Sequence, residues 1–235
     1  MVHYRSVHEK QPMINAPGPV LLLIAAMVGV HLIRLALPGP SLSGLDGQVV
    51  AYFAFTPARF FGDQYGATYL ETESLAALLS TFITHTFLHA DFTHLGINAI
   101  WLLALGAPVA RYLRPYRFFT FYFVCGIFGA LAHLVFYPNE TVPMVGASGA
   151  ISGLMGGAIR FIFRPQVGYD GGELGRLSDP RLIAFVGVWF AINIIVGLWG
   201  IDPSAEQRSI AVQAHLGGFI AGLFLLPYFA ARQNR

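Results

Sequence analysis

Six apolar stretches, each close to the roughly 20 residues an α-helix needs to cross a bilayer, constrain this chain more than any other feature. They lie at about 20–37, 92–110, 117–137, 147–163, 182–200 and 209–230. Lipid offers backbone groups no hydrogen-bond partners, so only helices and closed barrels span it. Stretches of this length read as helices. The expectation is an all-α polytopic membrane protein, a bundle of six transmembrane helices forming one domain over 20–231, behind a short polar cytosolic segment at 1–19. Composition agrees: 55% of residues are hydrophobic and 11% charged, against about 25% charged in soluble domains. A formal net charge of +2 gives no reason to expect a nucleic-acid partner. A signal peptide is the rival reading of the first stretch. The long polar lead and the lack of a small-residue cleavage site after it argue against that.

Arginine and lysine orient the bundle. With the N-terminus inside, the inner segments hold Arg5, Lys10, Arg111, Arg114, Arg117, Arg160, Arg164, Arg176, Arg181, Arg232 and Arg235, and the outer ones only Arg34, Arg59 and Arg208. Both termini are therefore expected in the cytosol. Pro38 to about Leu79 reads as a long outer loop lying partly in the membrane interface, because Phe53, Phe55, Phe60, Phe61, Tyr65 and Tyr69 are too apolar for a free linker. Residues 75–90 offer a further short helix, Asp91 a cap for the second span, and 165–180 a polar flexible loop. Cys125, the single cysteine, reads as a small buried thiol. No Cys/His cluster has metal-binding spacing, and no cofactor is expected.

Chemistry enters with Pro143–Gly157, PMVGASGAISGLMGG, where Gly149, Gly153 and Gly157 strip one helix face of side chains. Ala214-His215-Leu216-Gly217-Gly218, with Gly222 four residues on, makes a second such face. In lipid, faces of this kind let helices approach closely. Ser148, His215, His94 and Asn98 lie 16, 17, 17 and 13 residues from the arginines at the inner ends of their spans. At 1.5 Å per residue they share a level about 20–26 Å above the inner boundary. Intramembrane polar groups are costly and need partners, so four at one level imply a wet site opening outward. Ser148 reads as nucleophile and His215 as general base. Spans four and six contain no carboxylate, which makes a dyad and leaves the imidazole to be oriented by packing or another hydrogen bond. His94 and Asn98, four apart on one helix face, and the backbone N–H groups of Ala147 and Ser148 at a helix N-terminus are the candidate oxyanion donors.

The motifs Gly146-Ala147-Ser148-Gly149, Ala214-His215 with its following glycines, and His94-x-x-x-Asn98, with His85 and His89 just upstream, resemble the rhomboid family of intramembrane serine proteases over residues 80–229. The resemblance implies a compact six-helix bundle of bacterial inner-membrane type. Ser148 is its nucleophile, His215 its general base, and His94, Asn98 and the backbone around Ser148 its oxyanion donors. It implies single-span transmembrane proteins as substrates, cut in or near their helix at a small residue, and no cofactor. Two positions depart from the family. Ser80-Thr81 stands where many relatives carry Trp-Arg, which leaves the anchoring of the first loop unassigned. Ser152 stands where relatives often have a tyrosine beneath the base, and offers a hydroxyl to His215 instead.

Taken singly, these residues have blander readings. Ser148 alone reads as a small packing residue, His215 alone as a bridge between helices, and His94 with Asn98 as a structural pair. Asn193, in the middle of span five, reads as an interhelical hydrogen bond, and His31 and His133 as structural. A non-catalytic relative that binds membrane helices is the rival function, and the presence of both Ser148 and His215 speaks against it. A channel would string polar groups along a path, not gather them at one depth.

Overall fold

The computed structural model describes residues 16–39, 44–61, 74–163, 174–199 and 212–230. Every regular element among them is helical, and the only β pairing is an isolated bridge between Phe55 and Met144. The chain is an all-α polytopic bundle. Helix α1 (Gly18–Ala36) opens it, started by Pro17 and Pro19, whose fixed φ suits a helical first turn. The segment expected as a loop is partly helical: α2 (Leu45–Phe53) and a 3-10 turn (Pro57–Phe60) precede α3 (Leu75–Thr84), which runs into a second 3-10 turn at His85–Phe87. Here apolar surface overrides the breakers, because Phe55, Phe60 and Phe82 stack into a small core of their own. Ser74 caps α3 by accepting from the Ala77 N–H, as serine does at helix starts.

Asp91 accepts from the His94 N–H and caps α4 (Phe92–Trp101). A π turn at Leu102–Gly106 joins α4 to α5 (Ala107–Tyr112). Pro108 explains it, since proline lacks the N–H that would bond the carbonyl of Ala104. Helices α6 (Pro115–Phe136), α7 (Ser148–Ile162), α8 (Pro180–Trp199) and α9 (Val212–Ala230) complete the bundle. Gly18–Ala36, Phe92–Tyr112, Pro115–Phe136 and Val212–Ala230 are long and apolar enough to cross a membrane. Large apolar side chains such as Leu22, Ile33, Ile100, Val135, Ile162, Val188 and Tyr228 stay exposed on the outside, as a lipid-facing surface requires. Helix α7 differs: its 15 residues reach only about 22 Å, less than the roughly 30 Å apolar layer. Its first residue, Ser148, is followed by a helix buried almost throughout from Gly149 to Ile159.

Glycine makes that central position possible. A Cβ on Gly149 would stand 3.3 Å from the Ala214 carbonyl oxygen, and one on Gly153 would meet the Cys125 Sγ at 2.5 Å and the Gly218 carbonyl oxygen at 2.9 Å. From the other side, a Cβ on Gly129 of α6 would come nearer still, 2.7 Å from the Ala214 carbonyl oxygen. Backbones of α6, α7 and α9 thus touch where Cβ atoms would hold them apart. Cys125 is the buried free thiol lodged in this contact.

The first loop is anchored without a Trp-Arg pair. Arg34, at the end of α1, makes a two-pronged bond to Asp46 of α2 (2.7 and 3.2 Å) and donates to the His89 carbonyl at 2.8 Å. Arg59 donates to the Ala51 and Ala54 carbonyls at the end of α2. Charge-assisted bonds to orphan carbonyls are among the stronger ones available. Tyr65, Tyr69, the acids Asp63, Glu71 and Glu73, loop residues 164–173, and Asp202 and Glu206 lie outside the described residues.

Candidate active site

Ser148 opens α7 directly after a tight turn. Gly146 adopts φ +118°, a backbone state that L side chains rarely take. The residues ahead of it are held on both sides. Phe55 and Met144 exchange backbone hydrogen bonds of 3.1 and 2.8 Å, and the Gly146 N–H donates to the His85 carbonyl at 3.0 Å. Burial pushes the His85 imidazole down to about 4, so it is neutral, and its Nδ1–H donates to the Thr81 carbonyl at 2.7 Å. The first loop therefore acts as a clamp on the strand-like segment leading to the serine. The first bond within α7 and its cap is Ile151 N–H to the Ala147 carbonyl. The N–H groups at Ser148, Gly149 and Ala150 accordingly have no acceptor within the helix.

Ser148 and His215 meet. The serine Oγ lies 2.8 Å from His215 Nε2, across 67 residues of sequence. Both side chains are half-buried, so the pair is neither sealed in the core nor fully exposed. The other ring nitrogen of His215, Nδ1, faces the Asn193 Oδ1 of α8 at 3.0 Å. With both nitrogens engaged, no ring atom is left for Ser152, which is buried further down α7; the expected Ser152–His215 bond is absent because Asn193 takes its place. Asn193 was legible only as an interhelical hydrogen bond. Its partner was out of reach of the sequence, because a mid-helix asparagine does not say which neighbour it faces.

His94 stands on the other side of the serine turn. A Cβ on Gly146 would fall 2.7 Å from His94 Nε2 and 3.9 Å from Ser148 Oγ, so the ring lies against the turn, and Gly146 leaves room for it. The Ala90 N–H points at His94 Nδ1 at 3.5 Å, a long contact. Nε2 is the nitrogen that lies against the serine turn. His89 packs edge-on against His94, with ring centroids 5.2 Å apart. Asn98 is buried one turn further along α4 and donates through Nδ2 to the His94 carbonyl at 2.8 Å. That leaves one amide N–H available. His31 packs edge-on against Phe92, and His133 lies tilted against Tyr137.

A serine hydroxyl bonded to an imidazole, at a helix start with free N–H groups and a second imidazole beside it, can perform acyl transfer. Among the described residues no group of His, Cys, Asp and Glu could hold a metal ion. Comparison with known proteins points the same way. A Rhomboid domain family model matches residues 77–232. The chain is 31% identical over 144 residues to rhomboid protease GluP of Bacillus subtilis, covering 60% of this chain and 24% of that one. It is 28% identical over 153 residues to the mitochondrial Rhomboid protein 1 of Saccharomyces cerevisiae, covering 61% and 40%. It is 24% identical over 224 residues to rhomboid protease GlpG of Serratia proteamaculans, covering 95% and 67%. The chain thus spans well under half the length of the first two relatives.

Proposed function

The chain belongs to the rhomboid family, and from that premise we propose that it is an intramembrane serine endopeptidase acting on single-span transmembrane proteins. The observation that carries the reading is the 2.8 Å hydrogen bond between Ser148 Oγ and His215 Nε2. In this reading Ser148 Oγ attacks the scissile carbonyl while Nε2 takes its proton. The tetrahedral oxyanion accepts hydrogen bonds from the backbone N–H groups of Ser148 and Ala147, from His94 Nε2–H and from the spare amide N–H of Asn98. His215 then returns the proton to the leaving amine, and water hydrolyses the acyl-enzyme by the same steps in reverse order of roles. In this reading the apolar helices lie in a bacterial inner membrane, with both termini cytosolic. The short α7 favours a recessed serine: a helix of 15 residues spans less than the apolar layer, which lets Ser148 at its start lie below the lipid surface. The water needed for hydrolysis reaches it from the outer side.

A serine-reactive fluorophosphonate tests the nucleophile directly. The wild-type protein is expected to be labelled, and Ser148→Ala to give no label under the same conditions. Equal labelling of the two would assign the reaction to another residue. Loss of one oxyanion donor typically costs about 10²-fold in rate, so Asn98→Ala is expected to slow cleavage of a reconstituted transmembrane substrate by about that factor. An unchanged rate would remove Asn98 from the mechanism.

A further inference from the structure

From the hydrogen bonds on both ring nitrogens of His215, we infer that Asn193 is a positioning residue that selects the base-competent tautomer of His215, so that α8 supplies the third member of the site. The inference rests on the protease reading. A neutral imidazole carries one proton. To take the proton of Ser148, Nε2 must be bare, and the ring proton must sit on Nδ1. An acceptor facing Nδ1 enforces that choice, and Asn193 Oδ1 lies there at 3.0 Å.

The asparagine is itself fixed. Its Nδ2 donates to the Trp189 carbonyl one turn back on α8, at 2.9 Å. Only the amide nitrogen can make that bond, so the oxygen is the atom presented to His215. One turn along each helix, Trp189 stacks on Phe219 of α9, with centroids 4.2 Å apart and planes at 17°. Trp189 and Asn193 are four apart on α8, and His215 and Phe219 four apart on α9, so each pair shares a face. The two contacts are successive rungs between antiparallel helices, the apolar rung setting the height of the polar one.

The effect should fall on the chemical step. When His215 takes the serine proton it becomes a cation, and its Nδ1–H bond to Asn193 becomes charge-assisted and stronger. An interaction that strengthens only as the reaction proceeds changes kcat rather than KM. Asn193→Ala leaves the Nδ1–H without its acceptor, and is expected to lower kcat by about 10- to 100-fold, with KM for a transmembrane-helix substrate within about twofold of wild type. Histidine ¹⁵N NMR of the full chain should find His215 as the Nδ1–H tautomer in the wild type and as a mixture in Asn193→Ala.

Wild-type kcat in Asn193→Ala, or an unchanged tautomer in Asn193→Ala, would each overturn the inference. Absence of any Ser148-dependent hydrolysis in the wild type would instead sink the protease reading. The tautomer measurement would still decide whether Asn193 sets the ring, because it needs no turnover.

Discussion

Ser148→Ala and His215→Ala are each expected to lower kcat by about 10⁴- to 10⁶-fold on a transmembrane substrate, and the double variant to be no worse than either alone. The non-additivity follows from the geometry. The hydroxyl is a poor nucleophile without a base, and the imidazole has nothing to activate without the hydroxyl; the single hydrogen bond between them is one catalytic unit. Alanine at either position removes a half-buried polar group whose hydrogen bonds run only to Ser148, His215 and Asn193, so the bundle should remain intact. Thermal unfolding in the same detergent should differ little from wild type. Substrate affinity should also persist, since neither side chain belongs to the lipid-facing surface. Mass spectrometry of the products measures the loss directly. Cleavage at the wild-type site and rate by either single variant would contradict the assignment.

The meeting of Ser148 and His215 was legible in the sequence, and the reason is regularity. Apolar stretches of membrane-spanning length leave helices as the only outcome, and counting residues along helices of fixed rise put Ser148 and His215 at one depth. The glycine spacing on both sides told which faces meet. Asp91 as a cap was legible because capping is local. What was not legible involves partners distant in sequence. Ser80-Thr81 left the anchoring of the first loop unassigned, and the structure supplies it: Arg34 ties the loop to Asp46 and the His89 carbonyl, and Phe55 pairs with Met144. Nothing in the periodicity of either segment encodes that pairing. Ser152 looked like the available hydroxyl because it sits one turn below Ser148. The ring nitrogen it was matched with is instead met by Asn193, 22 residues from His215 on a different helix. Helix α3 falls within the short helix expected over 75–90, whereas α2 was hidden, since its apolar residues were noticed but the prolines and glycines around it argued for irregular chain.

The glycine contact between α7 and α9 carries the second large expectation, because it sets the distance between nucleophile and base. A methyl on Gly222 would fall 2.6 Å from the carbonyl carbon and 2.8 Å from the Cα of Gly153. These are backbone atoms that no rotamer change can move aside. Reaching ordinary carbon–carbon contact requires the helices to part by about 1 Å. His215 lies two turns from Gly222 on α9, and Ser148 just over one turn from Gly153 on α7, so the separation is passed to the 2.8 Å bond and takes it past hydrogen-bonding range. Gly222→Ala is therefore expected to lower kcat by about 10²-fold, as misplacements of that size do, and to cost about 1–3 kcal/mol of stability through overpacking. Ile220→Ala, on the exposed side of the same helix, should leave kcat within about twofold and serves as the control for truncation on α9. Cleavage kinetics and thermal unfolding on the same preparations separate the two effects. Wild-type turnover in Gly222→Ala would mean that the approach of α7 and α9 does not govern the Ser148–His215 distance.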